Sequence, residues 1–188
     1  MRSRRTVVAY TPFPNIEARN ALQSGIEIPL LVRLMRVPED ARILEVGCGR
    51  GVALPVLAAL RRPRRLVGID IDPDLVSIAR RTIEQAGLSA EVARADVRAL
   101  PFPDHSFDVV IDFGTCYHIA GSERAVSEIE RVLEPGGRFV TETRASQALA
   151  HPIRSSGRGL PWRAAPGLER TRRAVLWSCQ VKREAVAG

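Results

Sequence analysis

The 188-residue chain has the length of one domain, and its 45% hydrophobic content with charge spread throughout excludes a disordered polyelectrolyte and a pair of ordinary domains. No apolar run approaches the roughly 20 residues of a membrane span, and the basic start "MRSRRTVVAYTPFP" holds too short an apolar stretch for a secretory leader, so a cytoplasmic protein is expected. The net charge of +7 is confined to the end of the chain: residues 1–143 hold 19 basic and 19 acidic residues, whereas residues 144–188 hold nine basic residues against Glu169 and Glu184.

In chain order, residues 1–25 read as an N-terminal arm or lid, and the apolar-rich "IEIPLLVRLMR" (26–36) as a helix that tolerates Pro29 near its first turn. "ARILEV" (41–46) is the first strand, followed by "GVALPVLAALRR" (51–62) as a helix and "RLVGID" (65–70) as a strand. "DPDLVSIARRTIEQAG" (72–87) carries its own start and stop, with Asp72 before Pro73 at one end and Gly87 at the other. Strands follow at 90–96 and 107–114, then an amphipathic helix over 123–137 stopped by Pro135-Gly136-Gly137, and a fifth strand at 138–143. Beyond it "ASQALAHPIRSSGRGLPWRAAPG" (145–167) has little periodicity, and 172–184 reads as one edge strand with Val175, Trp177, Cys179 and Val181 on one face. No convincing sixth strand is visible unless part of 167–173 supplies it, so an abbreviated C-terminal hairpin is expected.

Alternating strands and helices with short links predict an α/β fold: a mainly parallel sheet with helices on both faces. Ligands of such sheets sit beyond the carboxyl ends of the strands, near the switch in strand order. The unusual residues fall there. The turn "GCGRG" (47–51) follows the first strand, Asp70 ends the second, Asp96 the third, and Asp112 lies at the end of the fourth. One aspartate is an ordinary surface acid; four strands delivering such residues to one edge indicate a site.

The glycine turn could serve two ligand classes. A dinucleotide site needs G-x-G-x-x-G, but Val52 stands where the third glycine belongs, and no GK[ST] of a phosphate-binding loop is present. Glu45, two residues before Gly47, would oppose a pyrophosphate and favour a cation. The turn therefore suits a nucleoside that carries a positive charge, and a nicotinamide-dependent oxidoreductase is disfavoured.

"ILEVGCGRG", "VGIDIDPDLVSIAR", "ADVRALPFPDHSFDVVIDFGTCYHI" and "EIERVLEPGGRFV" together resemble the successive motifs of class I S-adenosylmethionine-dependent methyltransferases, most closely the small methyltransferase-domain type. The resemblance covers about residues 41–143 and implies a Rossmann-like core within a single domain spanning 1–188, with 144–188 as a basic, partly irregular tail. It implies that Glu45 and the backbone of Gly47, Cys48, Gly49 and Gly51 surround the methionine part of S-adenosylmethionine. Asp70 would accept from both ribose hydroxyls, with Ile71 against adenine; Asp96 would accept from the adenine amino group, and the Val97 N–H would meet a ring nitrogen. Asp112 would line the methionyl and sulfonium side. A carboxylate is a multiple acceptor, which suits a diol.

The expected activity is methyl transfer to an O, N or C atom of a small-molecule acceptor, leaving S-adenosylhomocysteine as product. Two alternatives share the cofactor: a nucleic-acid methyltransferase that uses the basic tail, and a non-catalytic S-adenosylmethionine-binding protein. His118, in "GTCYHI" after the fourth strand, is the catalytic candidate, with a structural histidine bonded to backbone as the competing reading; Tyr117 reads as core or wall. His105 reads as a solvated turn residue; Tyr10 and Phe13 could close over the cofactor or belong to a disordered arm, and Trp162 reads as half-buried packing, with stacking on an aromatic acceptor or a base as the alternative. The cysteines at 48, 116 and 179 form no CxxC pair, and no His/Asp/Glu cluster has ligand spacing, so no disulfide framework and no metal are expected. Oligomeric state is not encoded in any of these features.

Overall fold

The computed structural model describes residues 15–143 and 166–184. The expectations for 1–14 and 145–165, including those for Tyr10, Phe13 and Trp162, lie outside the described residues. Asn15 starts the first helix by accepting the Ala18 N–H on its side chain at 3.0 Å. Helix α1 (Ile16–Leu22) passes through a π-helical turn, Gln23–Glu27, into α2 (Ile28–Leu34). The Arg19–Glu27 pair at 2.6 Å spans that turn. Residues 16–25, read as part of an arm, are thus helical and continuous with the helix expected from residue 26. Ile28, Leu31, Val32 and Met35 fix α2 to the sheet by their burial.

Strand β1 (Arg42–Val46) and helix α3 (Ala53–Arg61) are followed by β2 (Arg65–Asp70) and α4 (Pro73–Gln85). Both signals read for α4 act as expected. The Asp72 side chain accepts the Asp74 N–H at 2.8 Å, and Gly87 at φ 61° lets Leu88 N–H close back on the Ile83 carbonyl at 3.1 Å. Strand β3 is shorter than expected, Glu91–Arg94, so Asp96 stands two residues past its end. Strand β4 (Phe107–Asp112) leads to a short helix, α5 (Thr115–His118), that periodicity does not reveal, and then to α6 (Ser122–Val132). Helix α6 stops five residues before the expected boundary. Leu133 is already extended and pairs with Phe107, so β5 runs Leu133–Glu142 with a register shift that absorbs the Pro-Gly-Gly segment.

The 167–173 stretch does supply the further strand, β6 (Leu168–Arg173), and the strand expected within 172–184 is β7 (Trp177–Lys182); together they make a complete antiparallel hairpin rather than an abbreviated one. Strand β7 pairs with β5 and lies inside the sheet, while β6 forms the edge. Trp177 and Cys179 are buried as expected, but Val175 is 74% exposed because it sits in the connecting turn. In β6 only Leu168 is buried; the exposed Glu169–Arg173 stretch is the charged sequence that keeps a sheet edge from pairing with another chain.

The seven-stranded sheet has the order β3-β2-β1-β4-β5-β7-β6, parallel through β5 and antiparallel beyond it. One core layer joins Ile43, Ile111 and Val140 to Leu31, Leu54 and Leu57 on one face. The other joins Leu44, Val110 and Phe139 to Ile129 and Leu168. Strand order reverses between β1 and β4, so the crevice for a ligand opens at the carboxyl ends of β1, β2 and β4.

Candidate active site

Three acids end adjacent strands at that crevice. Glu45 on β1 is 3% exposed, and its Oε2 has no hydrogen-bond partner among the described residues. Burial first, then the nearby Asp70 and Asp112 charges, push its pKa up to about 8. A buried acceptor without a donor is costly, and a carboxylate in that position fits a cation.

The turn after β1 is shaped by what lies around each glycine. Gly47 has φ 68°, and a Cβ there would overlap the Thr115 side chain. Thr115 donates its hydroxyl to the Val46 carbonyl at 3.3 Å and so closes one wall of the turn. A Cβ at Gly51 would lie 3.1 Å from Ala79 of α4. At Gly49, by contrast, nothing lies within 4 Å of the position a Cβ would take, leaving the backbone open to approach. Cys48 points the other way, into the core, where it and Leu54 fill the space left by Gly68 on β2. Burial pushes the Cys48 and Cys116 thiols well up, which removes both as nucleophiles near neutral pH.

Asp70 ties this turn to β2. Its Oδ2 accepts the Gly49 N–H at 2.9 Å and its Oδ1 the Asp72 N–H at 2.9 Å, which fixes the carboxylate and leaves acceptor capacity on both oxygens for a diol. Ile71, next to it, is 51% exposed, an apolar surface available to a planar ring. Asp96 is engaged by Arg98, whose guanidinium holds its carboxyl below the ordinary carboxylate range. The Val97 side chain is buried in the second core layer.

Asp112 is fully buried and faces α5. It accepts the Thr115 N–H at 2.6 Å, the Cys116 N–H at 3.3 Å and the Thr141 hydroxyl at 3.3 Å. Burial raises its pKa to about 6 despite these donors. Its visible task is to start α5, the helix whose last residue is the part-buried His118. The His118 and Tyr117 rings meet edge to face with centroids 5.2 Å apart. The fold therefore gathers Glu45, the glycine turn, Asp70 and Asp112 at one crevice and connects His118 to it through the Asp112 cap. His105 is elsewhere: it sits in a turn at φ 59°, with Nδ1 3.1 Å from the Leu133 carbonyl.

Thr115, Thr141 and Gly68 shape the site and escape a reading of sequence alone. Thr115 could have been found from the D-x-x-T spacing after β4, because an aspartate three residues before a helical N–H is a capping signal. Among the described residues no group of three or more His, Cys, Asp or Glu could hold a metal ion.

Residues 44–141 match a family model described as a methyltransferase domain. Over 102 residues the chain is 38% identical to a fatty-acid O-methyltransferase of Mycolicibacterium smegmatis, a match covering 54% of this chain and 36% of that protein. Over 100 residues it is 43% identical to a demethylmenaquinone methyltransferase of Thermus thermophilus, covering 53% of this chain and 45% of that one. The matched stretch thus spans less than half of either relative. In fold, a SAM-dependent methyltransferase from Aquifex aeolicus superposes with a TM-score of 0.67 at 16% identity, over 89% of this chain and 95% of that one.

Proposed function

Because this chain belongs to the methyltransferase-domain family of class I S-adenosylmethionine-dependent proteins, we propose that it transfers a methyl group to an oxygen, nitrogen or carbon atom of a small-molecule acceptor. The observation that carries this reading is the buried Glu45 carboxyl with an unpartnered Oε2, beside a glycine turn that is open at Gly49. That pairing suits a ligand that brings positive charge and needs close backbone contact, as a sulfonium nucleoside does, and it opposes a pyrophosphate.

The residues fit the cofactor. Glu45 and the 47–51 turn would hold its methionine part, Asp70 its ribose diol, Ile71 and the Val97 backbone its adenine ring, and Asp96 the adenine amino group. S-adenosylmethionine supplies, when bound, an electrophilic methyl on a sulfonium whose departure leaves a neutral thioether. The chain's own contribution is positioning: Asp112 starts α5, and α5 presents His118 on the acceptor side. Where the acceptor is a hydroxyl or an ammonium, the His118 imidazole takes the proton that must leave. The names of the two relatives, one acting on fatty acids and one on demethylmenaquinone, support an apolar small molecule as acceptor. The buried free thiols of Cys48, Cys116 and Cys179 support a reducing, cytoplasmic location; among the described residues no helix is long and apolar enough to cross a membrane.

A screen of small-molecule acceptors with methyl-labelled S-adenosylmethionine tests this function, with NADH fluorescence titration as the control for a dinucleotide site. The reading expects label transfer to at least one apolar acceptor and no saturable NADH binding. Tight NADH binding without S-adenosylmethionine binding would replace it with the oxidoreductase reading.

A further inference from the structure

The helical run from α1 to α2 carries an apolar line on the side turned away from the core. Ile28, Leu31, Val32 and Met35 are buried, whereas Leu22, Ile26, Leu30 and Leu34 are 42 to 53% exposed. Single exposed leucines are ordinary, but a contiguous apolar strip on a protein surface marks a contact. A spacing of four does not by itself make such a strip. Across twelve residues of uninterrupted α-helix, Leu22 and Leu34 would point about 120° apart. The π-helical turn Gln23–Glu27 changes this: the Ile28 N–H bonds to the Gln23 carbonyl five residues back. One extra residue is thereby taken into the turn, which removes about 100° of rotation and brings Leu22 and Leu34 to within about 20° of each other. Ile26 and Leu30 fall between them on the same side, so the four side chains form a single ridge. The Arg19–Glu27 pair at 2.6 Å braces the turn and neutralises two charges of the same helical run.

We propose that this ridge is the contact surface for a second copy of the chain. Rows of side chains four residues apart are the ridges that interdigitate when two helices cross at about 50°. The ridge is its own complement. A twofold axis at the level of Ile28 sets Leu22 against the partner's Leu34 and Ile26 against the partner's Leu30, which is an isologous contact. Gln23 then meets the partner's Arg33, so no like charges are forced together near the axis. Charge argues against an anionic lipid surface as the occupant, because a helix lying on one carries Lys and Arg along its polar face. Residues 15–40 instead hold Arg19, Arg33 and Arg36 against Glu17, Glu27, Glu39 and Asp40. Size sets the strength. Thirteen helical residues make a strip about 20 Å long and 10 Å wide, well short of the roughly 800 Å² that each partner gives to a standard interface. The dimer is therefore a weak one, with a dissociation constant on the order of 10 µM.

Sedimentation velocity on the wild type, Ile26→Glu, Leu30→Glu and Val175→Glu, over roughly 1–300 µM protein, tests this. The wild type should pass from monomer to dimer across that range. Each ridge variant brings two glutamates into the contact, one from each copy, and should weaken association by at least about tenfold. Its melting temperature should hold, because both positions are exposed. Val175→Glu changes an exposed residue off the ridge and should leave association as it is. The register has its own readout. Chains carrying Ile26→Cys, mixed with chains carrying Leu30→Cys, should cross-link under mild oxidation faster than either chain alone, since the native Cys48, Cys116 and Cys179 are buried. A monomer at every concentration overturns the proposal, as does a dimer indifferent to Ile26 and Leu30 or a mixed pair that cross-links no faster. Binding of a monomer to vesicles of phosphatidylcholine and phosphatidylglycerol, abolished by Leu30→Glu without any self-association, would give the ridge to lipid and overturn it as well.

Discussion

Asp70 shows how much one residue at a strand end can carry. Its two backbone donors, Gly49 and Asp72, hold the carboxylate still, so a diol arriving at the remaining lone pairs meets a preorganised acceptor. Asp70→Ala should therefore weaken S-adenosylhomocysteine binding by about 1.5–3 kcal/mol, the range for hydrogen bonds to a charged group. An unchanged dissociation constant in a folded variant, measured by calorimetry, would remove Asp70 from the site. His118→Asn keeps a hydrogen-bonding edge and loses the basic nitrogen, so kcat should fall by about 10²–10⁴-fold while cofactor affinity stays nearly constant. A structural histidine would instead lower the melting temperature and leave the turnover of the folded fraction intact. Asp70 and the glycine turn were legible in the sequence because both signals are local: an acid and a cluster of glycines directly after apolar strands. The contact from Thr115 to the Val46 carbonyl was hidden because 69 residues separate the two and only the sheet brings them together. The contact between Asp112 and Thr141 was hidden for the same reason, since 29 residues separate them. Sequence could place Asp112 at a strand end just before Thr115 and Cys116, but not show that Thr141 would meet it there.

Among the elements, those with a strong period and a stop of their own, such as α4, emerged nearly as read. Those whose sequence answers to a neighbour did not. Strand β6 has no alternation because it is an edge, with solvent along its length and only Leu168 turned inward. Strand β7 looked like an edge because its partner could not be recognised. The hairpin nonetheless closes the core through Trp177, which is 3% exposed and packs in the layer containing Val140 and Cys179. Trp177→Ala should cost about 3–5 kcal/mol of stability, measured by denaturant unfolding. A loss below about 1 kcal/mol, the size expected of a surface change, would show the hairpin to be peripheral. At the front of the sheet, Gly47→Ala should disturb both the turn and Thr115, since a methyl group there overlaps the Thr115 side chain. Weakened S-adenosylhomocysteine binding should accompany its lower melting temperature, and intact affinity would show that the turn does not shape the site.

For the whole molecule, charge is divided along the sequence: residues 1–143 are balanced, and the excess positive charge belongs to 144–188. A steep loss of RNA binding with rising salt would bring the nucleic-acid alternative forward. The crevice itself makes a prediction about pH with a defined sign. Glu45 has its pKa raised from 4.5 to about 8 in the folded protein. The stability it contributes to the free protein is fully present below the unfolded value and is lost as pH rises through the folded one. The free protein should therefore melt at lower temperature as pH rises from 5 to 9, by an amount that Glu45→Gln reduces. A cationic ligand has the opposite dependence, because it favours the ionised carboxylate and expels the proton on binding. Calorimetric titration of S-adenosylmethionine at pH 6.5 and pH 8 is the most direct test that this crevice is built for a positively charged cofactor. Saturable one-to-one binding should be several-fold tighter at the higher pH, by up to about tenfold per pH unit below the Glu45 pKa, with proton release that Glu45→Gln abolishes. No binding, or binding whose affinity and proton balance ignore both pH and Glu45, would contradict the account.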